Sequence, residues 1–180
     1  MSVVGRLLRG AAVTAILAVM LYPEPGRYEA ERMLKAASDA FRFVESRRGE
    51  VTDREGALGR IGQIADVAAE RMVGDPRPRV LAGLARLRAG QPERARELLG
   101  RALSLGERAE IDLHLAGAYG ALGDREKAMA TIRRAVWVSP ALIPMLPFSD
   151  QERRAMEHEV LRLEADLKAG KLKQPPPLPE

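Results

Sequence analysis

The chain contains no cysteine, two histidines and few aromatic residues: three Phe, three Tyr and one Trp in 180 residues. Without cysteine there is no disulfide framework, no thiolate metal site and no thiol nucleophile, although this leaves the compartment open. Neither His114 nor His158 has a second histidine one helical turn away, the spacing that metal-binding helices use. Asp and Glu are plentiful but scattered, so no pair stands out for acid–base work, and no glycine-rich strand-to-helix loop is present to cradle a phosphate. These absences predict a protein that is not an enzyme and that takes no cofactor, no metal and no small-molecule substrate. A block of like charge is also missing. The 29 basic and 25 acidic residues leave a net charge of +4, with the signs mixed along nearly every segment. That pattern describes a solvated helical surface and not a nucleic-acid footprint.

Long apolar runs are scarce, with one exception at the start. Residues 10–22, GAAVTAILAVMLY, carry no charge and follow Arg6 and Arg9, and the apolar stretch extends back to Val3. A hydrocarbon core about 30 Å thick needs about 20 helical residues, which residues 3–22 supply if the two arginines snorkel toward the headgroups. A cleaved signal peptide and a buried helix are the other readings of this segment. No small-x-small site precedes Tyr22-Pro23, which favours an uncleaved signal-anchor over 1–22. Positive charge before the span predicts a cytoplasmic N-terminus and a translocated remainder.

Pro23-Glu-Pro-Gly26 breaks this segment. From Arg27 to Arg48, Met33, Leu34, Ala37, Phe41 and Val44 define one apolar helical face, with Gly49 as its stop. Thr52-Asp-Arg-Glu55 reads as a capping box opening a helix to Val73, with Leu58, Ile61, Ala65, Ala68 and Met72 facing inward. Gly56, Gly59 and Gly62 in that helix mark either a close crossing or a frayed first turn. Four helices follow near 77–89, 92–105, 109–122 and 124–138. Pro140, Pro144 and Pro147 then forbid a regular helix, so the apolar side chains of 140–148 are expected to lie extended on the stack or against a partner. Ser149 and Glu152 form a second capping box. It opens a highly charged helix over 150–169 whose narrow stripe of Met156, Val160, Leu163 and Leu167 suits a terminal cap. The proline-rich tail, 170–180, is expected to stay outside the core.

Within this all-α pattern the chain repeats itself. Gly90, Glu93, Ala95, Arg101 and Ala102 recur 33 positions later as Gly123, Glu126, Ala128, Arg134 and Ala135. In the later copy Leu115-Ala116, Tyr119, the Gly123-Asp124 turn, Ala128, Ile132, Ala135 and Pro140 fall at the positions that define a tetratricopeptide repeat, and residues 76–142 resemble two such repeats. Asp112 departs from the family, standing where Trp or Leu is usual, so that edge is expected to be exposed or differently packed. The resemblance implies a stack of antiparallel helix pairs over 27–169, completed by the flanking helices. It also implies a concave groove lined by the first helix of each repeat. Carried over position by position, that partner-binding face is Arg77, Val80, Leu84, Leu87 and Arg88 in the earlier copy and Glu110, Leu113, Gly117, Gly120 and Ala121 in the later one. The Lys and Asn set with which such domains clamp a terminal carboxylate is absent. Residues 27–48 or 141–148 of the same chain are alternative occupants of the groove.

The resulting expectation is a non-catalytic scaffold or assembly factor, held at a bacterial inner membrane by residues 3–22 with its C-terminal domain in the periplasm, acting on an envelope protein complex. A stable accessory subunit of a membrane enzyme complex and a soluble cytoplasmic adaptor are the two other readings.

Overall fold

The computed structural model describes residues 25–47 and 49–171. The expected span within 3–22 and the tail beyond Lys171 lie outside the described residues. Among the described residues, no helix is long and apolar enough to cross a membrane, and all regular structure is helical. The order is α1 (Pro25–Ser46), α2 (Arg54–Arg71), α3 (Pro76–Arg88), α4 (Pro92–Leu103), α5 (Ala109–Ala121), α6 (Arg125–Val138), a 3₁₀ helix (Pro140–Met145) and α7 (Asp150–Lys168).

Three small cores follow one another along the chain instead of one central core. The first joins Ala30, Leu34, Ala37 and Val44 of α1 to Leu58, Ile61, Ala65 and Ala68 of α2 and to Leu81, Ala82 and Ala85 of α3. The second joins Ala95, Leu99 and Ala102 of α4 to Ile111, Leu115 and Tyr119 of α5 and to Ala128 of α6. In the third, Val136 meets Ile143 of the 3₁₀ helix, Leu146 just beyond it, and Met156 and Val160 of α7. The buried positions recur at three- and four-residue intervals because only such a stripe faces one way on a helix. Alanine predominates where helices cross, which brings backbones close and makes volume changes there costly. Gly83 takes this furthest. A Cβ on it would stand 2.7 Å from Leu99 Cγ, so α3 and α4 meet at a distance that only glycine permits.

Each helix packs on its successor from α1 to α6, and the short connections reverse the chain between them. In addition α1 touches α3 and α3 touches α5, whereas α2 does not reach α4 and α4 does not reach α6. One layer of alternate helices is therefore closed up and the other splayed. That curves the row toward α1, α3 and α5.

The reversals after α3 and α5 are built alike. Gly90 and Gly123 adopt φ of +74° and +80°, the left-handed region that side chains with a Cβ disfavour. Just beyond them, Gln91 N–H donates to Arg86 C=O at 2.9 Å and Asp124 N–H to Tyr119 C=O at 3.0 Å. Both the glycines and these closing bonds lie 33 positions apart, the sequence period. Charge also ties elements together: Glu45 of α1 accepts from Arg54 of α2 at 2.7 Å and from Arg88 of α3 at 3.1 Å.

Two expectations change, and a third, Asp112 exposed or differently packed, narrows to the second alternative. The helix after Val51 starts one residue later than Thr52 suggests: Asp53 is the N-cap, its carboxylate accepting from Gly56 N–H at 2.9 Å. Residues 140–145 coil into a 3₁₀ helix and are not extended, with Pro144 inside it and Ile143 buried. The tighter i→i+3 spacing suits a short proline-containing run. Exposure of Asp112 is excluded, since its side chain is fully buried. The second capping box is present: Glu152 N–H donates to Ser149 Oγ at 3.3 Å and Ser149 N–H to Glu152 Oε2 at 2.8 Å.

Candidate functional site

The closed-up layer leaves a cavity of about 720 Å³ on its concave side. Its apolar floor comes from Leu34 and Phe41 of α1, Val80, Leu81 and Leu84 of α3, and Ile111 of α5. Its polar rim comes from Glu31, Lys35, Ser38 and Arg42 of α1, Arg77 of α3, Arg108 at the head of α5, and Glu110 and His114 of α5. Every wall belongs to α1, α3, α5 or the residue just before one of them, because these alone face the inside of the curve. The 33-residue period accounts for part of this, since Arg77 and Glu110, 33 apart, stand on the same rim.

A second cavity of about 570 Å³ adjoins the first and shares Pro76, Arg77 and Arg108 with it. Arg27, Arg71 and Asp75 complete its charged lining. Here most charges are spoken for. Arg77 donates to Asp75 and to Glu31, both at 2.6 Å, which holds the Arg77 guanidinium above its ordinary range and the Asp75 carboxyl below its own. Arg71 donates to Glu29 at 2.5 Å. Lys35 and Arg42 both pair with Asp39, at 2.9 and 3.3 Å. His114 is half-buried, and burial, with Arg88 reinforcing it against Glu110, lowers its basicity. The imidazole is therefore neutral at neutral pH and adds a polar but uncharged edge.

The residues that the sequence assigns to the groove divide into two sets. Arg77, Val80, Leu84 and Glu110 line the cavity. The rest lie elsewhere on α3 and α5. Leu87 packs against the second core, Leu113 against the third, and Arg88 pairs with Glu45. Gly117, Gly120 and Ala121 are exposed; a Cβ on Gly117 would meet only Leu87, at 3.6 Å, and one on Gly120 nothing within 4 Å. The period does not index the α1 wall, Leu34 and Phe41, because the repeat is traced only from 76 onward. The apolar stripe read for residues 27–48 was the available signal for it. Neither alternative occupant from this chain fills the cavity: α1 is one of its walls, and Ile143 and Leu146 are buried in the third core.

Asp112 lies on the opposite, packed side of α5. Both carboxylate oxygens are buried without a hydrogen-bond partner. Burial, aided by Glu107 and opposed by Arg134, pushes its pKa up to about 7. Among the described residues, no group of three or more His, Cys, Asp or Glu is arranged to hold a metal ion.

No family model, curated protein or solved structure matches this chain.

Proposed function

We propose that this chain is a tetratricopeptide-type interaction scaffold or assembly factor, tethered to a bacterial inner membrane through residues 3–22, whose periplasmic domain holds a segment of an envelope protein complex in the concave groove. One observation carries this reading: the roughly 720 Å³ cavity with an apolar floor lies on the inner layer of alternate helices, where a curved helical stack presents its binding surface. The 33-residue recurrence of the Gly90 and Gly123 turns supports the repeat assignment. Open grooves of this kind take a partner helix or extended segment by burying its apolar side chains. The reading assigns the groove no catalytic chemistry.

The test uses tagged full-length chain recovered from solubilised membranes after crosslinking. Leu84 is half-buried in the cavity floor, and losing its apolar burial against a partner costs about 1.5–3 kcal/mol, about one to two decades of affinity. Leu84→Ala should therefore deplete co-recovered protein at unchanged helical content, while Arg154→Ala, exposed on α7, should leave recovery intact. Equal recovery from the two variants refutes the groove assignment. Recovery in fixed stoichiometry from resting cells would favour the second reading, a permanent subunit of a membrane enzyme complex.

A further inference from the structure

We infer that the groove selects an acidic amphipathic segment, apolar on the face that enters the cavity and carrying carboxylates at the edge that meets Arg108 and Arg27. This rests on the groove-binding reading above and adds the chemistry of the occupant.

The selection follows from which charges are already paired. Arg108 lines both cavities and is exposed. Among the described residues it makes no ion pair, and neither does Arg27 on the second cavity, which acts on Asp75 there only across space. The other cations around these cavities have partners within the chain, Arg77 in Asp75 and Glu31, Arg71 in Glu29, and Lys35 and Arg42 in the one carboxylate of Asp39. The acids Glu31 and Asp75 are committed likewise to Arg77, and Glu110 acts on His114. The linings of the two cavities together hold six cations, Arg27, Lys35, Arg42, Arg71, Arg77 and Arg108, against three acids, Glu31, Asp75 and Glu110, so the charge they present is positive. Arg108 is also the N-cap of α5 and forms no side-chain cap there, so the positive end of that helix adds to the same field. The first cavity, at about 720 Å³, lies within the range of about 300–1,000 Å³ that apolar ligand sites occupy. Apolar burial supplies affinity at Leu34, Val80 and Leu84, and the arginines supply sign and orientation.

The experiment measures fluorescence anisotropy of two labelled synthetic peptides titrated with the full-length chain in detergent micelles. Both peptides carry the same Leu and Ala helical face; one presents Glu on the other face and one presents Lys. The acidic peptide should bind at least about tenfold tighter at low salt, with the preference shrinking as salt rises. Arg108→Glu should abolish or invert the preference, and Arg27→Glu, made separately, should reduce it, both at unchanged circular dichroism. A basic peptide that binds as tightly as the acidic one, or an unchanged preference in Arg108→Glu and Arg27→Glu alike, overturns the inference. Leu84→Ala distinguishes apolar groove binding from acid selection. If it weakens both peptides where no charge preference exists, the groove reading survives and the acid selection fails. If it weakens neither, both fail.

Discussion

Asp112 and Gly83 each occupy a position where one atom decides the outcome. Asp112 titrates near 7 in the folded chain because burial, with Glu107 beside it, penalises the charged form against the pull of Arg134. The native state therefore holds a proton between the ordinary carboxylate value of 3.8 and about 7, where the unfolded chain has lost it. Stability falls as pH rises through that window and levels off above it. At about 1.4 kcal/mol per tenfold, the displacement amounts to at most about 4 kcal/mol. Asp112→Asn should flatten the fall, which thermal unfolding compared at about pH 5.5 and about pH 8 will read. An identical slope in the two proteins would show that Asp112 is solvated. Gly83 faces Leu99, which is fully buried and has nowhere to move. Gly83→Ala should therefore destabilise by about 1–3 kcal/mol through overpacking, read as a lower urea midpoint, although alanine ordinarily improves a helix. Neither effect was legible beforehand. A lone acid in a helix usually points to water, and a glycine beside Ala82 reads as a weak helix position until its neighbour across the crossing is known.

The helices themselves were largely legible, because their apolar residues recur at the helical period and their ends carry chemical signals. Leu58, Ile61, Ala65, Ala68 and Met72 all proved buried, and Ser149 with Glu152 closes both bonds of its capping box. Boundaries moved where two acceptors compete, as at Thr52 and Asp53. The 3₁₀ helix at Pro140–Met145 escaped notice because proline spacing excludes an α-helix without specifying what replaces it. The turn glycines give the clearest contrast among elements. Gly123 needs its positive φ, so Gly123→Ala should cost about 1 kcal/mol. Gly120 lies inside α5 with open space around it, so Gly120→Ala should stabilise by about 0.5–1 kcal/mol. Chemical denaturation of both variants reads the sign, and a loss of stability in Gly120→Ala would mean that this face of α5 is covered.

At the scale of the whole molecule, the cavity comes from curvature. Alternate helices α1, α3 and α5 touch while α2, α4 and α6 spread, and the cavity is what that asymmetry leaves on the inside. The position-by-position assignment of the groove named Arg77, Val80, Leu84 and Glu110, which do line the cavity, but the period partners of Val80 and Leu84, Leu113 and Gly117, do not. It did not supply the α1 wall, which no traced repeat indexes, nor the fate of Leu113, which is decided by the third core packing against α5. The central claim is that the concave side is where a partner sits. A photo-crosslinkable phenylalanine analogue placed in intact cells either at Leu84, in the cavity floor, or at Ile64, exposed on α2 outside it, tests that directly. A discrete crosslinked species is expected from position 84 and none from position 64. Crosslinks from position 64 alone, or the same species from both, would contradict it.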